Sequence, residues 1–366
     1  MSTKGALVPT EITPLAPPAT ADDPDLVRWI SILNASYSHE SGNDLLVWAP
    51  DVECSRLQRQ EHHALRVLLA RQGEQIIGGA SFEFDRSTSR DAEIFVAVDP
   101  ARSDPGLVDA LYERIEQEAR AAGRTNVIDY SASPIDVRHL DEAEIIRPVS
   151  GIGGLSRDAD RVRLLRARGY SLGLVERASV YDLRADPSLA RAMLDEALRA
   201  AGDDYEAVWW AGRTPDEHVE GYAYAISRMS TDAPHGDIDV EEETWDAARV
   251  RAREDRVAQI DQLWAVTAVR HRPTGRIVAF NELVISSDRA RMTENYGTLV
   301  LAEHRGRRLG TVVKCLGLLR WRELVPTSPG VVTFNAEVNR YMLDVNEAVG
   351  FVPTHWEGAW NKQLIP

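Results

Sequence analysis

TLVLAEHRGRRLG, residues 298–310, carries an apolar run (Leu299, Val300, Leu301) into a turn with two glycines and three arginines, and residues 311–323 follow with helical spacing. A strand, a Gly/Arg turn and a helix N-terminus together form a cradle for pyrophosphate. Unpaired backbone N–H groups and the positive end of the helix dipole point into such a turn, and arginines add charge. Gly306 and Gly310 let the backbone approach phosphate oxygens with no Cβ in the way. The spacing is neither that of a Walker loop, which needs Gly-Lys-Ser/Thr, nor a dinucleotide GxGxxG. From these residues alone the turn is either a phosphate site or an ordinary strand-to-helix connection with solvated arginines.

The rest of the chain bounds the answer. Its 366 residues are enough for two domains, and 44% apolar with 27% charged residues is ordinary for a globular protein. A net charge of −15 argues against general nucleic-acid binding, which needs a basic surplus to release counterions. It suits a cationic amine substrate, and solubility explains it equally well. Only Lys4, Lys314 and Lys362 among the 42 basic residues are lysines. Cys54 and Cys315 are the only cysteines, which excludes a disulfide framework, leaves a cysteine metal site without support and fits a reducing cytoplasm. No apolar run has the length of a membrane span. Residues 1–24, rich in Pro, Ala and Thr, read as a loose tail.

Two halves share one plan. In residues 25–183 a helix (25–36) precedes strands at 65–69 and 75–84, a strand at 93–98, a helix at 106–122, a strand at 126–130, a helix at 160–168 and a closing strand at 176–183. In residues 184–366, helices at 215–229 and 241–257 precede a hairpin (263–269, 276–286) across Arg272-Pro273-Thr274-Gly275. A strand (296–302), a helix (311–323), a strand (330–334) and a helix (336–349) follow, the last stopped by Gly350. VDPAR at 98–102 parallels LAEHR at 301–305, and RARGY at 166–170 parallels EAVGF at 347–351. The same order twice implies two copies of one α/β (α+β) domain, each a mixed, mostly antiparallel sheet flanked by helices.

Arg305-Gly306-Arg307-Arg308-Leu309-Gly310 resembles the acetyl-CoA pyrophosphate loop R/Q-x-x-G-x-G/A of the GNAT superfamily of N-acetyltransferases, with Arg308 where that loop has Gly. The doubled order resembles tandem GNAT proteins of the mycothiol synthase type, strongly over 263–360 and faintly over 25–183. In the first half Arg102-Ser103-Asp104-Pro105-Gly106-Leu107 stands at the loop position: Pro105 removes a donor and Asp104 opposes phosphate, so that copy reads as degenerate.

The resemblance implies an acyl-CoA-dependent N-acyltransferase that moves an acetyl group from acetyl-CoA to a primary amine of a small molecule. It implies no metal, no nucleic-acid or membrane partner, a cytoplasmic location, and a monomer or homodimer. A non-catalytic acyl-CoA-binding scaffold is the alternative. The cofactor residues it nominates are Leu299, Val300, Leu301, Arg305, Gly306, Arg307, Arg308, Leu309, Gly310 and Thr311, with Asn339 and Asn346 on the arm and Asn335 capping the last helix. Acyl transfer also needs a base for the amine, a donor for the oxyanion and a route for the thiolate. Glu294, eleven residues before Arg305, is nominated as base, with Glu282 in reserve and a backbone N–H near Val300 or Leu301 as oxyanion donor. Asn346 occupies the station where many GNAT enzymes place a tyrosine acid; an amide donates a hydrogen bond but no acidic proton. Tyr341 and Tyr296 are the nearby phenols. His62-His63 reads as a surface pair, the acidic run 237–243 as a helix-dipole partner, and Trp209, Trp210 and Trp245 as core or pocket wall.

Overall fold

Alternating apolar residues and Gly-bearing turns build the sheets that carry the 298–310 turn. The structure, a computed structural model, describes residues 9–88, 90–102, 104–232 and 243–364, so most of the acidic run 237–243 lies outside the described residues. Two compact units divide the chain: residues up to 133, 160–171 and from 359 onward in the first, and 134–159 with 172–358 in the second.

The first unit contains β1 (Thr10–Pro14), α1 (Pro24–Ser41), α2 (Pro50–Gln58), β2 (His63–Gln72), β3 (Gln75–Asp85), β4 (Asp91–Val98), α3 (Pro105–Ala121), β5 (Asn126–Ser133) and α4 (Asp160–Ala167). The strands lie in that order and pair antiparallel, except that β4 and β5 are parallel. The segment read as a loose tail therefore contributes β1, which pairs with β2 from Thr10↔Gln72 to Pro14↔Leu68. Polar α2 gave no periodic apolar signal; a proline in its first turn starts it.

The second unit contains a two-stranded ribbon, β6 (Ile145–Ile146) and β7 (Leu155–Ser156), then β8 (Ser171–Asp182), α5 (Ser188–Ala201), β9 (Tyr205–Ala211), α6 (Asp216–Ser227), α7 (Met229–Asp232) and α8 (Ala247–Gln259). It continues with β10 (Leu263–His271), β11 (Arg276–Ile285), β12 (Thr293–Val300), α9 (Leu309–Leu324), β13 (Gly330–Ala336), α10 (Arg340–Val349) and the first part of β14 (Val352–Gln363), whose residues from 359 onward belong to the first unit. The sheet order is β8-β13-β12-β11-β10-β9, all antiparallel but β12/β13. A division at residue 183 does not match these units. β8 pairs with β13 from Gly330↔Asp182 to Ala336↔Glu176, while Trp360 and Gln363 hydrogen-bond to Ser131 and Asn126 of β5. Which sheet receives a terminal strand is a long-range choice that local sequence order does not encode.

α9 is buried along most of its length. Leu309, Val312, Val313, Leu318 and Trp321 pack on the sheet, and Trp321 Nε1 donates to Thr293 Oγ1 at 2.7 Å. A fully buried side chain of that kind contributes roughly 2–3 kcal/mol. α9 thereby fixes the turn before it against the end of β12.

Candidate active site

The parallel pair β12/β13 holds together only at Thr293↔Val331, Glu294↔Val332 and Asn295↔Thr333. β12 nevertheless stays paired with β11 as far as Val300, so its other edge opens from residue 296 onward. Tyr296 is an extra residue facing the Glu282/Leu283 step, a bulge that twists β12 as the gap begins. Leu301 N–H bonds to Val278 O and is thus tied into the sheet. By antiparallel alternation the Val300 N–H faces the gap instead. Of the two backbone donors nominated from sequence, the structure turns only Val300 toward the opening.

At the mouth of the gap Gly306 (φ +79°) and Arg308 (φ +57°) both take left-handed backbone. An L-residue there costs about 1–2 kcal/mol, the physical reason for a glycine at that loop position. No side chain caps α9, so the N–H groups of Leu309, Gly310 and Thr311 open onto the turn. The arginines do not converge on it. Arg305 braces the loop, donating to Val300 O at 3.2 Å and to Asp232 O at 2.9 Å. Arg307 lies over the Tyr205 ring, and Arg308 pairs with Glu196 at 2.6 Å. The cradle is thus mainly backbone, with the three cations around its rim.

Glu294 sits beside the closed end of the gap, opposite Val284 of β11 and Val332 of β13. Its carboxylate has no hydrogen-bond or ion-pair partner among the described residues, and burial raises it from 4.5 to about 7. Trp264, Val284 and Glu294 are directly opposite across β10, β11 and β12, so all three face the side covered by α6 and α8. On that face lies a cavity of about 260 Å³ lined by Tyr222, Arg253, Asp255, Gln262, Trp264 and Val266. Glu282, the reserve base, is already engaged: Tyr222 Oη and Arg253 Nη2 both donate to its Oε1, the latter at 3.1 Å.

The first unit repeats the gap and fills it. β4 pairs with β5 only from Asp91↔Asn126 to Glu93↔Ile128, yet runs on to Val98. Arg161 of α4 donates Nη1 to Val96 O at 3.0 Å, on the edge of β4 that faces the gap. Its Nη2 pairs with fully buried Asp129 at 3.0 Å, and Asp129 also accepts from Tyr112 Oη. At the start of α3 the Asp104 carboxylate accepts from Gly106 N–H at 2.9 Å, taking the donor a phosphate would need. The connection is also shorter, residues 99–104 against 301–308, so VDPAR and LAEHR do not superpose residue by residue.

Residues 26–133 match the sequence model of the Acetyltransferase (GNAT) family. Across 98% of this chain and 99% of the other, the structure superposes with TM-score 0.72 and 22% identity on a tandem GNAT protein from the clavulanic acid biosynthesis pathway. This is a tandem GNAT fold. A GCN5-related N-acetyltransferase from Sphaerobacter thermophilus is similar at TM-score 0.58 and 14% identity, over 98% of this chain and 96% of that one. A GCN5-related glucosamine N-acetyltransferase region of a fungal multi-domain β-N-acetylglucosaminidase is similar at 0.59 and 13%, over 98% of this chain and 38% of that one. No curated protein matches the sequence. The family match falls on the first unit, although the resemblance read from sequence was stronger over 263–360.

Within the tandem GNAT fold the remaining nominated side chains separate. Asn339, rather than Asn335, caps α10, accepting from Met342 N–H at 3.3 Å; Asn335 is still in β13. Asn335 Oδ1 instead accepts from buried Asn346 Nδ2 at 2.5 Å, and Asn346 Oδ1 is buried without a partner. Tyr341 is half exposed on the first turn of α10, near Gly310 at the mouth of the gap, whereas the Tyr296 ring lies tilted against Trp264. Sequence reading missed Lys314, which reaches from α9 to Asn295 Oδ1 at 2.9 Å. The available signal was a lysine among the apolar residues Val312, Val313, Cys315 and Leu318, in a chain that otherwise avoids lysine. Among the described residues, no helix is long and apolar enough to cross a membrane, and no cluster of His, Cys, Asp and Glu is arranged to hold a metal ion.

Proposed function

We propose that the second unit transfers an acyl group, acetyl in the simplest case, from acyl-CoA to a primary amine of a small molecule. The uncapped N-terminus of α9 and the Gly306–Gly310 turn would hold the pyrophosphate, and the open edge of β12 would pair with the pantetheine arm. Glu294 is the observation that carries the reading: an unpartnered carboxylate at the closed end of the gap, raised to about 7 by burial. A base in that range is about half ionised at neutral pH and is strong enough to take the proton that the amine nitrogen loses as it attacks. The amine would arrive through the Tyr222–Trp264 cavity, on the same face as Glu294. The Val300 N–H supports this reading as a donor in the gap.

The test is acyl-CoA binding by calorimetry combined with CoA-thiol release over a panel of amines, for the native protein and Glu294→Gln. The reading requires turnover that falls roughly 10²–10⁴-fold in the variant while the acyl-CoA dissociation constant is kept. Binding without thiol release for any amine would instead make this a CoA-binding scaffold.

A further inference from the structure

The reaction leaves a thiolate, and the station where a tyrosine acid was expected holds Asn346, which donates to Asn335. On the α9 side of the same gap lies Lys314, 1% exposed. Its Nζ has one hydrogen-bond acceptor among the described residues, Asn295 Oδ1, and stands 5.2 Å from the Phe351 ring centroid. Asn295 Oδ1 is shared, since Asn281 Nδ2 also donates to it, and both amides reach Thr298 Oγ1. An ammonium offers three donors, and burying one without a carboxylate is costly. Asn295 is the last residue of β12 paired with β13, so Nζ is held at the level where the gap begins. Across that gap the buried Asn346 Oδ1 also lacks a partner. Two underused polar groups on α9 and α10 thus flank the closed end, while Glu294 faces the opposite side of the sheet.

We infer that Lys314 is the cation that receives the CoA thiolate, taking over the proton-donor role that Asn346 cannot fill. The inference rests on the acyl-transfer reading above. Attack of the amine nitrogen on the thioester carbon forms the C–N bond, and collapse of the adduct breaks the C–S bond with the electron pair going to sulfur. The Lys314 ammonium pairs with that sulfur and donates its proton, giving free thiol and a neutral amine that is reprotonated from solvent. Glu294 takes the proton lost by the attacking nitrogen. Burial lowers Lys314 from 10.5 to about 7, which makes proton release at neutral pH easy.

The test needs no knowledge of the acceptor. Free CoA is bound to the full-length protein, and thiolate absorbance is titrated against pH, with the desulfo-CoA complex as blank so that Cys54 and Cys315 cancel. The bound thiolate and the Lys314 ammonium favour one another, so the two titrate as a pair and the midpoint of the bound thiol should lie below that of free CoA. Lys314→Met should bind CoA with a similar dissociation constant and return the midpoint to the free value or above. Lys314→Arg, which keeps the charge, should preserve the depression and serves if the Met variant folds poorly. Equal midpoints in native and Met proteins, with CoA bound to both, would overturn the role of Lys314 alone. Failure of the native protein to bind CoA would instead overturn the acyl-CoA reading.

Discussion

Replacing Glu294 by Gln should stabilise the protein while disabling it, and the size of the gain should depend on pH. The native state holds this carboxyl at about 7 against 4.5 in the unfolded chain, because burial disfavours its charge. At about 1.4 kcal/mol per tenfold change in acidity, the ionised side chain costs the fold up to about 3 kcal/mol. Its partial exposure trims this toward about 2 kcal/mol. The raised value means that the folded state binds more protons between 4.5 and about 7, so native stability falls as pH rises through that window. Glutamine has nothing to ionise. The variant should match the native protein near pH 4, gain progressively above it, and show the full 2–3 kcal/mol near pH 8. For a domain of roughly 200 residues that is about 4–12 °C in melting temperature. Thermal and denaturant melts at both pH values measure the gain, and amine-dependent thiol release measures the loss. An equal gain at both pH values would mean that Gln improves packing, and the raised carboxyl would be wrong. A pH-dependent gain with undiminished turnover would keep the electrostatics and remove Glu294 from the chemistry.

Three further outcomes follow from the geometry. Arg308→Gly relieves the left-handed strain at φ +57° and loses only an exposed pair with Glu196, so stability should stay within about 1 kcal/mol and acyl-CoA affinity within a few-fold; a tenfold loss in calorimetry would show that Arg308 grips phosphate. Arg161→Ala strands the buried Asp129 and should destabilise the first unit by about 3–5 kcal/mol in denaturant titration, with less than about 1 kcal/mol refuting the view that Arg161 is a structural plug. Calorimetry should find a single acyl-CoA per chain, since Arg161 and Asp104 occupy the first gap; a second equivalent would show that the plug moves aside.

Much of this protein was legible in its residues. The 298–310 stretch displays its strand by apolar content and its turn by glycine, and the doubled order of elements announced two related domains because each element follows from local periodicity. Asp104 and Pro105 at the first loop position were also legible locally, and the structure shows Asp104 capping α3 through the Gly106 N–H. Glu294 could be nominated by its offset from Arg305, but its partnerless burial depends on β11 and β13, which are distant in sequence. Tertiary structure alone decided that Arg305 donates to Val300 O and Asp232 O, that Glu282 is committed to Arg253, and that Arg161 enters the first gap. It also moved β8 to the second unit and revealed Lys314 at the closed end of the gap. Periodicity reports which face of an element is apolar. What a charged side chain meets is fixed by strand pairing and helix docking across hundreds of residues, and that meeting sets both its proton affinity and its chemical use.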